Sequence, residues 1–241
     1  MLGRLKKRST ETEIMDDFKR GGTQLKEVLD DINRVNRILG GNAITIEAFA
    51  KLVREHPQER YIVLDVGCGD GTMLREVAQY CRKREINADF IGIDLNTNTL
   101  QIAQEASVGY PEIRFLKQDV LELNQTDLNC DILITTLTTH HFSNEQLPAL
   151  LKQCARLAKI GVINNDLHRS RVAFYLFKIF SLIFIKTNTA KIDGLISIRK
   201  GFKKHDLLNF AKDLPHMRHI IEWKWAFRYV WIMQPKRPNT P

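Results

Sequence analysis

Between residues 62 and 71 the chain reads Ile-Val-Leu-Asp-Val-Gly-Cys-Gly-Asp-Gly. An apolar run reaches a carboxylate, three glycines follow at alternate positions, and helical spacing takes over from Met73 to Arg84. A buried parallel strand that turns tightly into a helix leaves this signature. Gly67, Gly69 and Gly71 let the backbone take positive φ and let a ligand approach where a Cβ would collide. The dinucleotide fingerprint G-x-G-x-x-G is the nearest rival, but its third glycine falls one place later. Asp65 stands two residues before the first glycine, where a pyrophosphate would meet an anion and an ammonium group would meet a partner.

Two more apolar segments close on acids. Phe90-Ile-Gly-Ile-Asp94 ends 23 residues past Gly71, and Ile113-Arg-Phe-Leu-Lys-Gln-Asp119 follows. An acid at the end of a second parallel strand suits the hydroxyls of a ribose diol. Either acid alone also reads as the N-cap of the next helix. Three acids in order, each ending a strand, point instead to the ligand edge of one sheet.

Strands are expected at 61–66, 89–94, 112–117, 130–136 and 158–164, alternating with helices as βαβ units do. Aromatic-rich segments at 220–227 and 228–234 predict two final strands. Ahead of the glycines, 13–18, 25–39 and 44–55 have helical character, with Gly40-Gly41 ending the second. At 241 residues, with 44% hydrophobic and 27% charged side chains, the chain suits a single soluble α/β unit. Cys68, Cys81, Cys130 and Cys154 have no C-x-x-C spacing, so reduced thiols in a cytoplasmic protein are expected, with neither a zinc site nor a disulfide framework. Arg4, Lys6, Lys7 and Arg8 interrupt any signal-like apolar start. Residues 235–241 read as a disordered tail. The formal charge of +8 suits either a solvated basic face or anionic partners.

The stretch Asp65-Val-Gly-Cys-Gly-Asp-Gly resembles the first motif of class I S-adenosylmethionine-dependent methyltransferases. The resemblance covers roughly residues 60–165. It implies a Rossmann-like doubly wound α/β sheet, mostly parallel with an antiparallel last strand, under a helical N-terminal cover. It implies a division into that cover (1–57) and a methyltransferase domain (58–241) with a lid insertion near 169–200, in one structural unit. It implies S-adenosyl-L-methionine as cofactor, held by Asp65, Gly67 and Gly69, by Asp94 and Leu95 at the ribose, by Asp119 and Val120 at the adenine, and by Thr136. Arg34 or Arg37 would stand near the methionine carboxylate.

The segment Asp131-Ile-Leu-Ile-Thr-Thr-Leu-Thr-Thr-His-His-Phe142 is similar to the region after the fourth strand in ubiquinone- and menaquinone-type small-molecule methyltransferases. No Asn-Pro-Pro-Tyr-like motif follows the fourth strand, which speaks against methylation of nucleic-acid bases. A histidine titrating near neutral pH is a natural base for a phenolic hydroxyl. His141 and His168 are the first candidates, His140 the next, and each has a structural reading as a hydrogen-bonded imidazole. Residues 172–185 form the most apolar run, too short for a bilayer span of ~20 residues. It reads as a buried core helix or as a lid over a lipophilic acceptor that rests on a membrane surface. Residues 193–202 lead from it into an amphipathic helix at 203–214. The expected reaction is methyl transfer to oxygen, ahead of carbon, of a small aromatic or lipophilic acceptor. An RNA or protein methyltransferase and a non-catalytic cofactor-binding subunit are the alternatives.

Overall fold

The computed structural model describes residues 5–16, 22–123 and 128–236. Its centre is a seven-stranded sheet in the order β3-β2-β1-β4-β5-β7-β6. The strands are β1 (Tyr61–Val66), β2 (Ala88–Asp94), β3 (Ile113–Lys117), β4 (Cys130–Thr136), β5 (Ala158–Leu167), β6 (Met217–Lys224) and β7 (Arg228–Pro235). The first five run parallel, and β7 pairs antiparallel with both β5 and β6. β1 and β4, which are central, are buried nearly throughout. Hence they read as continuous apolar runs and not as alternating ones.

Helices cover both faces. α1 (Gly22–Ile38), α2 (Gly41–Glu55) and α3 (Thr72–Lys83) precede or follow β1, and α4 (Thr97–Ala106) follows β2. α5 (Leu147–Leu157), α6 (Arg171–Phe184), α7 (Asn188–Lys200) and α8 (Lys204–Ala211) complete the chain. One core layer gathers Leu64, Leu133 and Trp231 under α5. The other packs Phe49 and Leu52 of α2 and Leu74 and Val77 of α3 onto Val63, Ile132 and Ile163. Left-handed residues set the sharp entries: Gly40 at φ 69° before α2 and Gly71 at φ 74° before α3. No helix among the described residues is long and apolar enough to cross a membrane.

The expected strands, and the expected helices from residue 25 onward, are present with displaced ends. β5 runs on to Leu167 because β7 pairs with it through that residue. Gly41 opens α2 where it was expected to close the preceding helix. Residues 193–200 are the second half of α7, not a lead-in. Gly194 lowers helix propensity there, but a Cβ at that position would collide with the Phe177 ring of α6, and this contact of α6 with α7 needs the glycine. α6 is not a core helix. Val172, Tyr175, Leu176, Ile179, Leu182 and Ile183 are exposed, and only Ala173 and Ser181 are buried. Of the early segment 13–18, residues Ile14–Asp16 form a single 3-10 turn and 17–18 lie outside the described residues, as do 237–241 of the tail.

Candidate active site

A cavity of about 890 Å³ opens at the carboxyl ends of the parallel strands. One half is built around the glycine turn. Gly67, Gly69 and Gly71 all have positive φ. The amides of Gly67 and Cys68 both donate to the Ile93 carbonyl, at 2.9 and 3.1 Å, which ties the turn to the end of β2. A Cβ on Gly69 would project into open space, so the turn leaves a cradle there. Asp94 accepts from the Gly69 amide through Oδ2 and from the Asn96 amide through Oδ1, each at 2.9 Å. Its carboxylate is thereby held at the rim with lone pairs to spare for a diol. Asp119 caps the short turn Val120–Glu122 by accepting from the Leu121 amide at 2.8 Å. Asp65, Gly67, Gly69, Asp94, Leu95, Asp119, Val120 and Thr136 all line this cavity.

Asp65 is only 2% exposed. Burial, then Asp94 and Asp70, hold its carboxyl well above the usual carboxylate range. A cation placed against this buried acid would favour its charged form. Asp70 has a different task. It accepts from Asn33 of α1 at 2.7 Å and from the Thr72 hydroxyl at 2.9 Å, which fastens α1 over the glycine turn.

The second half is assembled from distant segments. Thr139, His140 and His141 form a 3-10 turn after β4. Asp166 of β5 fixes that turn: its Oδ2 accepts from the Thr139 hydroxyl at 2.7 Å and the His140 amide at 2.9 Å, and its Oδ1 faces His140 Nδ1 at 2.7 Å. Burial opposes a charge on His140, but Asp166 and Glu13 outweigh it and raise the imidazole to about 9. Glu13 is lowered to about 2 against its burial by His140, His141 and Lys200. His141 is more open, and its Nδ1 lies 3.0 Å from Asp16 Oδ1. Glu13, His140 and His141 bring three ligand-type atoms within 4.8 Å of one another, a spacing that a metal ion can use. The Lys200 ammonium, 3.2 Å from Glu13 Oε1 and buried, already supplies positive charge to the cluster.

Residues 63–161 match a family model described as a methyltransferase domain. This stretch of the chain is a methyltransferase domain. The carboxy-S-adenosyl-L-methionine synthase of Desulfotalea psychrophila is 27% identical over 125 residues, 51% of this chain and 49% of that protein. The malonyl-[acyl-carrier protein] O-methyltransferase of Halalkalibacterium halodurans is 26% identical over 91 residues, 38% of this chain and 31% of its own length. The chain thus spans half or less of these curated relatives. The plantazolicin methyltransferase BpumL, solved with S-adenosylhomocysteine, superposes with a TM-score of 0.68 at 14% identity, covering 92% of this chain and 93% of that one.

In this methyltransferase domain His140 and His141 line the cavity and His168 does not. The His168 amide donates to the Phe227 carbonyl, its Nδ1 accepts from the Trp223 indole, and its ring sits 5.0 Å from Tyr229. Pairing of β5 with β7 holds it there; desolvation, then Arg169 and Lys203, lower its pKa. Arg34 pairs with Asp31 at 3.5 Å, and neither Arg34 nor Arg37 lines the cavity. A buried arginine that does line it, Arg228, was not among the expected residues, because nothing around an arginine at the start of a strand marks it. Glu13 and Asp16 were missed for a similar reason: they come from a segment with no motif. The basic clusters are partly internal ties. Arg8 donates to the Lys200, His140 and Phe142 carbonyls, and Arg199 pairs with Glu11 at 2.7 Å.

Proposed function

We propose that the chain transfers a methyl group from S-adenosylmethionine to an oxygen of a small aromatic or lipophilic acceptor, with His141 as general base. The observation that carries this reading is His141, with Nδ1 3.0 Å from Asp16, on the wall of the cavity that the glycine turn and apolar residues of α6 also line. The Asp16 carboxylate stands at the Nδ1 side of the ring and leaves Nε2 for a hydroxyl proton. The cofactor supplies a methyl group already activated on a sulfonium. The protein's share is to hold the acceptor oxygen in line with that methyl and to take its proton as the new C–O bond forms. His140, charged between Asp166 and Glu13, serves to fix the 139–141 turn.

Phe177, Phe180 and Ile183 of α6 face the cavity, which supports a lipophilic acceptor under a lid at 169–200 and a cover at 1–57. Val172, Tyr175 and Leu182 of the same helix are exposed without lining it, which supports contact with a membrane surface when a lipid acceptor is loaded. Incubation with methyl-labelled cofactor and fractionated extract tests the reading. Label is expected in organic-soluble small molecules. Label in RNA or protein would overturn the acceptor class.

A further inference from the structure

The buried arginine of the cavity has a use that the transfer reaction leaves open. Arg228 opens β7, in register with Leu167 of β5 and Lys224 of β6, and is 3% exposed. Its Nη2 donates to Asn36 Oδ1 at 2.6 Å. Its Nη1 is buried and has no hydrogen-bond partner among the described residues. Asp166 acts on it through space, but both Asp166 oxygens are engaged by the Thr139 hydroxyl, the His140 amide and ring, and the Leu167 amide. A buried guanidinium with an unused donor lacks its anion.

The surroundings are arranged for one. The guanidinium lies against the first residue of α2: a Cβ on Gly41 would stand 2.8 Å from Arg228 Cζ. α2 is 15 residues long, and Gly40 gives it no side-chain cap, so its first-turn amides and its dipole remain available to an anion. Asn165 holds that terminus over the sheet by donating to the Gly41 carbonyl at 2.8 Å and the Thr45 hydroxyl at 2.9 Å. Asn36, Asn42 and Arg228 line the same cavity as Phe177 and Phe180 of α6.

Position decides which anion. The glycine turn follows β1, and the acids expected at the ribose and adenine follow β2 and β3. In the strand order β7 lies three places from β1 on the opposite side. We propose that Arg228 and the N-terminus of α2 form the receptor for a carboxylate on the methyl acceptor, which is therefore an amphiphilic acid with an apolar body under α6. This rests on the methyltransferase reading and narrows its acceptor. A bidentate arginine–carboxylate pair in a site closed to water gives both affinity and orientation.

The test uses the full chain saturated with S-adenosylhomocysteine and a matched pair of probes, 4-butylbenzoate and the neutral 4-butylbenzyl alcohol, titrated calorimetrically. The wild type should bind the carboxylate about tenfold or more tighter than the alcohol. Arg228→Met should abolish that preference while keeping S-adenosylhomocysteine affinity, which also reports that the variant is folded. Asn36→Asp places a carboxylate beside the guanidinium and should likewise abolish the preference, should Arg228→Met fail to fold. Equal or absent binding of the two probes to the wild type would overturn the proposal. So would a preference that survives either folded variant, or an Arg228→Met variant whose only loss is in S-adenosylhomocysteine affinity, since the site would then serve the cofactor. Failure of the wild type to bind S-adenosylhomocysteine at all would count against the underlying reading instead.

Discussion

The two halves of the cavity are built in opposite ways. The glycine-turn half comes from three consecutive strand ends, and each of its parts lies within a few residues of a strand that aims it. Its backbone does much of the work: Gly69 donates to Asp94, and the Gly67 and Cys68 amides donate to Ile93. The half we assign to the acceptor takes Glu13 and Asp16 from before α1, His140 and His141 from after β4, Asp166 from β5, Lys200 from α7 and Arg228 from β7. Its side chains are held by charge instead, and Glu13 and Lys200 are both buried. A reaction core that must accept one invariant cofactor can be set by local backbone geometry. A wall that must suit one acceptor is set by side chains, and some of their partners, as in His140 with Glu13 and Arg228 with Asn36, lie more than a hundred residues away.

That contrast predicts separable effects. The largest belongs to the acceptor half: His141→Gln should lose roughly 10²–10⁴ in turnover, the range of a general base, with cofactor affinity intact. Stopped assays with labelled cofactor would read this, and a deficit below about tenfold would leave positioning alone as the mechanism. Next comes the cofactor half. Asp94→Ala removes charge-assisted hydrogen bonds of about 1.5–3 kcal/mol, or roughly 10- to 150-fold in S-adenosylhomocysteine affinity by calorimetry. Gly69→Val should weaken binding too, because it strains φ 52° and fills the open space beside the turn. Unchanged affinity in folded Asp94→Ala would break the assignment of that acid to the ribose.

Smaller effects test the apolar wall. Phe177 and Phe180 are half-buried, so replacing each by Ala should cost about 1 kcal/mol of acceptor binding. Together they should raise the acceptor KM about thirtyfold and leave cofactor affinity alone. An equal loss in both would show that α6 supports the whole cavity.

The smallest effect is one of pH. His140, raised from 6.5 to about 9, contributes stability that is complete below about 6.5 and is lost as pH rises through 9. Glu13, lowered from 4.5 to about 2, contributes stability that is complete above about 4.5 and is lost as pH falls through 2. From these two groups Tm should be highest between about pH 4.5 and 6.5 and fall by a few degrees on either side. Asp65, raised from 3.8, works against that optimum in the empty protein, because its contribution is lost as pH rises from about 3.8, and a bound ammonium should relieve the loss. A His140→Gln variant that keeps the full alkaline decline would remove His140 from this account.

The strand ends show where reading by pattern stops. Hydrophobic runs and turn glycines place β1 to β5 because each strand's burial is written in its own residues. The length of β5 depends on β7, some sixty residues on, and with it goes the fate of His168. By position it belongs to the rim. By pairing it is turned toward Trp223 and Tyr229, outside the cavity. α6 shows the same limit in its packing. Its apolar content predicts either core or lid, and only the exposure of its outer face, known from the fold, excludes the core.

The sequence by itself determined the parallel sheet, the glycine turn and the order of acids along its edge, since these follow from local periodicity and from backbone freedom at Gly67, Gly69 and Gly71. The tertiary structure alone decided that His140 is charged and buried, that His141 faces the cavity beside Asp16, and that Arg228 reaches the N-terminus of α2 with a donor unused. The physical reason is that charge, burial and hydrogen-bond completion are properties of neighbours in space, and for these residues the neighbours are remote in the chain.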